Sequence, residues 1–291
     1  MAPNFSDMTY FMEVSRTLNI SRAAERLGIA QPSLSSAIRR LEASLDVPLL
    51  TRGRTGVQLT KAGIDFVGRA RVLLSQWEQL KSDVQRKEDS VAGKYILGCH
   101  PSVALYSLPL FLPELLSDNR DLEVSLAHDL SRNITEAVVS YEVDFGIVVN
   151  PVRHLELVIT PLCYDVVRFW TAKKPSKNQD LKGADGVLIC DGNLLQVQKM
   201  RAQLQKQKLK FKRVISSGNL EVIAKLTAEG AGIGILPTRV AQAHSGFNLQ
   251  PASAKLPTVK DGVALVYRSD AQKTVASRCI IQAIKSGFAK S

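Results

Sequence analysis

Along the first 60 residues, apolar side chains recur at three- and four-residue steps in short blocks, each closed by a breaker. Phe5, Met8, Phe11 and Met12 share one stripe, which predicts a first helix over residues 5–16. Ser21 is a fitting N-cap for a second helix with a small apolar face of Ala23, Ala24 and Leu27, and Gly28 is a fitting stop. Alanines on that face let another helix cross closely. Gln31-Pro32 opens a third helix, with proline at or near the first helical position. Its stripe of Leu34, Ile38, Leu41 and Leu45 steps by 4, 3 and 4. Residues 47–60 then read as two short strands around a glycine-rich basic tip.

From about Thr60 to Glu88 the pattern is that of a single long helix. Phe66, Ala70, Leu73, Trp77, Leu80 and Val84 recur at steps of 4, 3, 4, 3 and 4, a heptad seam. A stripe of this kind needs a cover, either its own N-terminal unit or the same helix of a second chain, and a second chain is favoured because it would also pair two such heads.

After Ala92-Gly93 strand-like and helical runs alternate. Strands at 94–100, 122–126 and 144–149, with helices at 101–116 and 134–141 between them, form a βαβαβ run expected to give a parallel sheet. A crossover begins at 158–171. A second unit follows with strands at 187–190 and 213–216, a basic helix and a helix opening at Gly218-Asn219-Leu220. The glycine-rich run 230–237, a strand at 262–267 and a last helix at 273–288 complete it. The fold class is thus α/β behind a mainly helical head, with domains at 1–60, 61–92 and 93–291.

Composition narrows the function classes. An apolar content of 45% and a mean hydropathy of −0.01 describe a globular chain. No apolar run reaches the roughly 18–20 residues of a membrane helix, and the first residues lack the basic-then-apolar order of a signal peptide, so a cytoplasmic protein is expected. Cys99, Cys163, Cys190 and Cys279 stand far apart, which argues against a zinc site, a redox pair or disulfides and for small buried hydrophobes. The net charge of +11 suits a polyanionic partner. Residues 1–94 hold 14 Lys and Arg against 10 Asp and Glu. Much of the excess therefore lies further on, including the run Lys199–Arg213, best read as a solvated helix face.

The third helix carries the chemistry a duplex reader needs. Its polar side has Gln31, Ser33, Ser35, Ser36, Arg39 and Arg40: hydroxyls and guanidinium groups for phosphates, and an amide for base edges. Arg52 and Arg54 at the basic tip are placed for a minor groove or phosphate.

Residues 21–63, SRAAERLGIAQPSLSSAIRRLEASLDVPLLTRGRTGVQLTKAG, resemble the N-terminal signature of LysR-type transcription regulators: the SxAAxxL helix, QPxLS, IRRLE, the LLxR corner and the closing LTxAG, in one order. LPxFLPELL, YEVDFGIV and AEGAGIGILP match landmarks of that family's effector domain, so the resemblance spans essentially the whole chain. It departs at Ser36 and Ala37, where the family often has Arg and Gln, and at Asp46 and Leu50, in place of Gly and Phe. Gln31 and Pro32 are therefore firmer candidates for DNA contact than positions 36 or 37, and Ser21 joins the same set.

The resemblance implies a winged helix-turn-helix and an antiparallel linker-helix pair. It also implies a two-lobed effector domain like periplasmic binding proteins, with lobe I about 93–163 and 267–291 and lobe II about 164–266. The protein would act as a homodimer or homotetramer on double-stranded promoter DNA of inverted-repeat character, with RNA polymerase a further candidate partner. A small-molecule effector would sit between the lobes, where strand ends and helix N-termini favour an anion. The candidate contacts are Cys99, His100, Pro101, Ser102 and Val103, then Val149 and Asn150, then Gly218, Asn219, Leu220 and Ile233. Ser102, read as an N-cap, is foremost.

Catalytic chemistry is not expected. Cys99 and His100 are adjacent on a strand and point to opposite faces. The run Gly232–Pro237 lacks the Lys and Ser/Thr of a phosphate loop. Neither metal nor cofactor is expected. Two other readings stay open: an effector-independent repressor whose cleft is filled by side chains, and a cytoplasmic solute-binding protein on the same scaffold.

Overall fold

The computed structural model describes residues 4–53, 56–85, 91–174, 176–179, 186–206, 211, 213–243 and 245–290. Residues 1–89 with 140–142 form one compact unit, and 90–139 with 143–291 a second.

In the first unit α1 (Phe5–Thr17), α2 (Ile20–Leu27) and α3 (Gln31–Leu45) precede the antiparallel pair β1 (Leu50–Gly53) and β2 (Gly56–Leu59), and α4 (Lys61–Gln85) follows. Met8, Phe11, Val14, Ala23, Ala24, Leu34, Ile38, Leu41, Leu49 and Val57 make the core. Val14 is fully buried there, whereas Phe5 and Met12 are only half-buried. The cap of α2 is Asn19, not Ser21: its extended backbone aims Oδ1 at the Arg22 amide, 3.0 Å away, and Ser21 lies exposed inside the helix. Gly28 ends α2 at φ 65°, a left-handed turn that glycine makes without strain. Leu45 is 37% exposed rather than buried, because α3 stops at Asp46 and its last turn overshoots the core.

The second unit is built on one nine-stranded sheet. β3 (Gly93–Cys99), β4 (Leu122–His128) and β5 (Phe145–Val149) form the expected parallel set, in the order β4-β3-β5. Two long strands, β6 (Leu157–Ala172) and β11 (Val259–Arg268), pair antiparallel and carry the chain between lobes. Beyond them lie β9 (Ile233–Pro237), β7 (Val187–Cys190) and β8 (Arg213–Ser216), with β7 parallel to both neighbours, while β10 (Leu249–Pro251) pairs with β6. The sheet is therefore two parallel triplets joined by an antiparallel crossover.

Helices α7 (Ser131–Val139), α8 (Leu195–Lys206), α9 (Leu220–Ala228), α10 (Thr238–Gln242) and α11 (Val275–Ala289) complete the lobes. The helix expected over 101–116 is broken into α5 (Pro101–Ser107), a 3-10 turn (Leu108–Leu110) and α6 (Leu112–Asp118). Pro109 and Pro113 each sit in the first turn of a new segment, since a ring without an N–H cannot continue a helix. In the basic run, α8 turns Val197, Met200 and Leu204 inward and leaves Lys199, Arg201 and Lys206 exposed; residues 207–210 and 212 of that run lie outside the described residues. Among the described residues no helix is long and apolar enough to cross a membrane.

Candidate nucleic-acid interface and effector cleft

Leu34, Ala37, Ile38 and Leu41 fix α3 in the first unit's core, which leaves Gln31, Pro32, Ser33 and Arg39 exposed and Ser35 and Ser36 half-buried on the other flank. Among the described residues no side chain caps the start of α3, so its first turn presents partial positive charge outward. A hollow of about 580 Å³, lined in part by Tyr10, Ile29, Pro32, Ser33 and Ser36, opens beside that turn.

Arg40 differs from its neighbours. Its guanidinium donates to both carboxylate oxygens of Asp7 on α1, at 2.7 and 3.2 Å, and Asp7 is buried. This fork-to-fork pair gives Arg40 the work of holding α3 against α1, a role sequence reasoning missed because the partners stand 33 residues apart. Arg52 lies on β1, its side chain outside the described residues, as is Arg54 altogether.

The motif residues behind α3 are structural. Glu42 Oε1 accepts the amides of Leu49 and Leu50 at 2.8 and 3.0 Å, pinning the turn into the wing. Thr60 Oγ1 donates to the Pro48 carbonyl at 2.8 Å and accepts the Gly63 amide at 2.9 Å, starting α4 against the same turn.

The apolar seam of α4 is shared. Its first part turns inward: Ala70 is buried and Phe66 packs edge-on against Phe11 in the unit's core. Its later part turns outward, with Leu73, Trp77 and Leu80 at 42%, 38% and 52% exposure, although Trp77 also stacks on Phe5 with ring centroids 4.9 Å apart. The Val84 side chain lies outside the described residues.

In the second unit the side chains expected at the strand ends divide into buried core positions and more exposed ones. Cys99 and Val103 belong to the lobe I core, and Leu220 and Ile233 are sealed in lobe II cores. Ile233 is fully buried within β9. Val149 is half-buried, packed against the lobe I core. Asn150 adopts φ 50° and is used up structurally: its amide and side chain form three hydrogen bonds of 2.8 Å to Gly262 and Asp261, clamping β5 to β11.

His100, not Ser102, caps α5. Its Nδ1 accepts the Ser102 amide at 3.2 Å, and its carbonyl takes the amides of Val103 and Ala104. Burial pushes the His100 pKa below its usual value, against an opposing pull from the carboxylates of Glu221 and Asp191. Pro101 is exposed. Ser102 is 2% exposed, and its hydroxyl has no hydrogen-bond partner among the described residues. On the lobe II side Gly218 and Asn219 are exposed, and Asn219 Oδ1 caps α9 through the Val222 amide at 3.0 Å.

The crossover holds a second polar group. Asp165 and Asp261 are register partners on β6 and β11, both buried. Burial lifts both carboxyls above the usual carboxylate range. The Arg239 amide on α10 donates to Asp165 at 3.2 Å, while its guanidinium lies 5.7 Å from the ring centroid of Tyr106 on α5. Tyr106 packs against core clusters of both lobes.

Residues 5–64 match the family model described as bacterial regulatory helix-turn-helix protein, lysR family, and residues 88–289 match the LysR substrate binding domain. Among curated proteins, the hydrogen peroxide-inducible genes activator of Dickeya chrysanthemi is 27% identical, over 91% of this chain and 89% of that protein. The Hca operon transcriptional activator HcaR of Escherichia coli is 29% identical over 87% and 88%. Of solved structures, a full-length OxyR variant from Pseudomonas aeruginosa aligns over 99% of this chain and 95% of its own, at 20% identity and a TM-score of 0.68. Full-length CbnR complexed with its target DNA aligns over 99% and 100%, at 20% identity and a TM-score of 0.64. These last likenesses bear on fold.

Proposed function

Given that this chain belongs to the LysR family of DNA-binding transcription regulators, we propose that it reads an inverted-repeat promoter site as a dimer through the α3 flank of Gln31, Pro32, Ser33, Ser36 and Arg39. Ser21 and Ser35, on the same head, and the wing arginines Arg52 and Arg54 add phosphate contacts. The observation that carries this reading is the division of α3 into a buried apolar stripe and an exposed flank of hydroxyls, an amide and a guanidinium beside an uncapped helix start. The outward part of the α4 seam, Leu73, Trp77 and Leu80, supports pairing with a second copy, and Val84 extends the same heptad. Phe66 and Ala70 serve the chain's own core instead.

The mouth formed by His100, Pro101, Ser102, Gly218 and Asn219 takes a small-molecule effector. Binding there shifts the lobes through Tyr106, Arg239 and the crossover strands, and so changes how the paired heads bend DNA. RNA polymerase is a further partner consistent with this role. Burial pushes the thiols of Cys99, Cys163 and Cys190 up and away from the reactive thiolate, which weighs against hydrogen peroxide, named for relatives of this chain, acting at those three cysteines.

Gel shifts on the intergenic DNA upstream of its own gene test the DNA reading. Gln31→Ala should weaken specific binding roughly tenfold while leaving the salt dependence intact, and Arg39→Ala should lower the salt slope by about one. An unchanged affinity in both variants would remove α3 from the interface.

A further inference from the structure

The two helix starts facing the mouth do not offer what an anion needs. At α5 the amides of Ser102, Val103 and Ala104 are all taken by His100, and Pro101 has none. At α9 the Asn219 side chain takes the Val222 amide, and the next side chain of the first turn that carries charge is Glu221. At α5 the backbone donors that would attract a carboxylate are thus satisfied by the chain itself, and at α9 the Val222 and Ile223 amides are as well.

What remains open at the mouth is acceptor chemistry. Glu221 Oε1 is enclosed and has no hydrogen-bond partner among the described residues, and the same holds for the Ser102 hydroxyl. Asp191, at the end of β7, is 1% exposed, and one of its oxygens accepts the Asn193 amide at 2.9 Å. Asp129, just past β4, stands on the lobe I side, where its Oδ1 already accepts the Leu130 amide and the Asn133 side chain. Burial, the largest influence, and the neighbouring His128 lower the His100 pKa, against the carboxylates of Glu221, Asp191 and Asp129, which raise it. The ring of His128 bonds the Cys99 carbonyl at 3.1 Å, so its Nδ1 is the donor and its other nitrogen is an acceptor in the neutral ring. An enclosed carboxylate oxygen without a partner is costly, and a cation that supplies N–H donors removes that cost. Among the described residues no three His, Cys, Asp or Glu are placed to hold a metal ion, so the fitting cation is organic.

We infer that the effector of this protein carries a positively charged amine or guanidine group, held by Glu221 and Asp191 from lobe II against His100 and Ser102 from lobe I. This rests on the reading of the mouth as the effector site. It replaces the anionic effector that the helix N-termini alone would suggest.

Thermal shift and calorimetry on the full-length protein test it, with agmatine and putrescine as cationic probes and benzoate and succinate as anionic ones, each at millimolar concentration. A cationic probe should raise the melting temperature by mass action. Glu221→Gln should weaken that binding roughly tenfold or more, while Glu229→Gln, which alters an exposed carboxylate paired with Lys225 on the same helix, should leave it unchanged. Stabilisation by the carboxylates alone would overturn the charge class and leave the effector site standing. Silence towards all four probes, or amine binding indifferent to Glu221→Gln, would overturn the inference itself. Neither outcome touches promoter binding, which the gel shifts measure separately.

Discussion

A methyl group added at Gly63 would stand 2.1 Å from the carbonyl oxygen of Leu49, so the first turn of α4 and the turn into the wing are in contact through backbone alone. Gly63→Ala should therefore destabilise the protein by about 1–3 kcal/mol in urea titrations, as overpacking does. Gly68, five residues on with open space around it, is the control: Gly68→Ala should be neutral or stabilising by up to about 1 kcal/mol. The sequence marked Gly63 as the end of a family motif, and the geometry supplies the reason. Glu42 and Thr60 are alike in this: legible as letters of a signature, intelligible only once their bonds to Leu49, Leu50 and Pro48 are seen. Asp7 was not legible at all, because nothing local distinguishes a carboxylate that will meet Arg40 from one that will face water.

At the scale of elements, the paired strands β6 and β11 bring Asp165 opposite Asp261 in a buried crossover. Burial raises both carboxyls above the usual range, so the folded protein holds protons that the unfolded chain releases near pH 4. The resulting stability is fully present below that unfolded value and is lost as pH rises through the folded one. The urea midpoint should accordingly fall with rising pH across this window, and Asp261→Asn should flatten the fall. A variant with the wild-type slope would show that the pair does not titrate there. Strand positions were readable from apolar runs, and β7 and β8 match to the residue. Their order was not, since a run of buried residues says nothing about which neighbour it pairs with. The helix expected over 101–116 failed for a local reason, its two prolines, which periodicity alone overrode.

For the whole molecule, similarity to activators of hydrogen peroxide-inducible genes makes thiol chemistry a direct question. All four cysteines are free, and Cys99 is buried with its thiol pushed up to about 11. Peroxide treatment should leave promoter affinity unchanged, and Ellman's reagent should reach Cys99 and Cys190 only when the protein unfolds; a peroxide-dependent gel shift would contradict this. The division into head, linker helix and two-lobed sensor was legible because each part has its own apolar period. The character of the sensor's mouth was not, because caps and unpaired acceptors are settled by side-chain geometry that no spacing encodes.

One helix, α4, is both a wall of the reading head, through Phe66 and Ala70, and the bearer of the outward stripe Leu73, Trp77 and Leu80. With 3.6 residues per turn, one residue inserted between the two sections would rotate the stripe by about 100° against the head. Such a lesion would leave each head intact and each stripe able to pair, yet misalign the two recognition helices. On the proposed pairing, the distance between half-sites would be written into a helical phase angle.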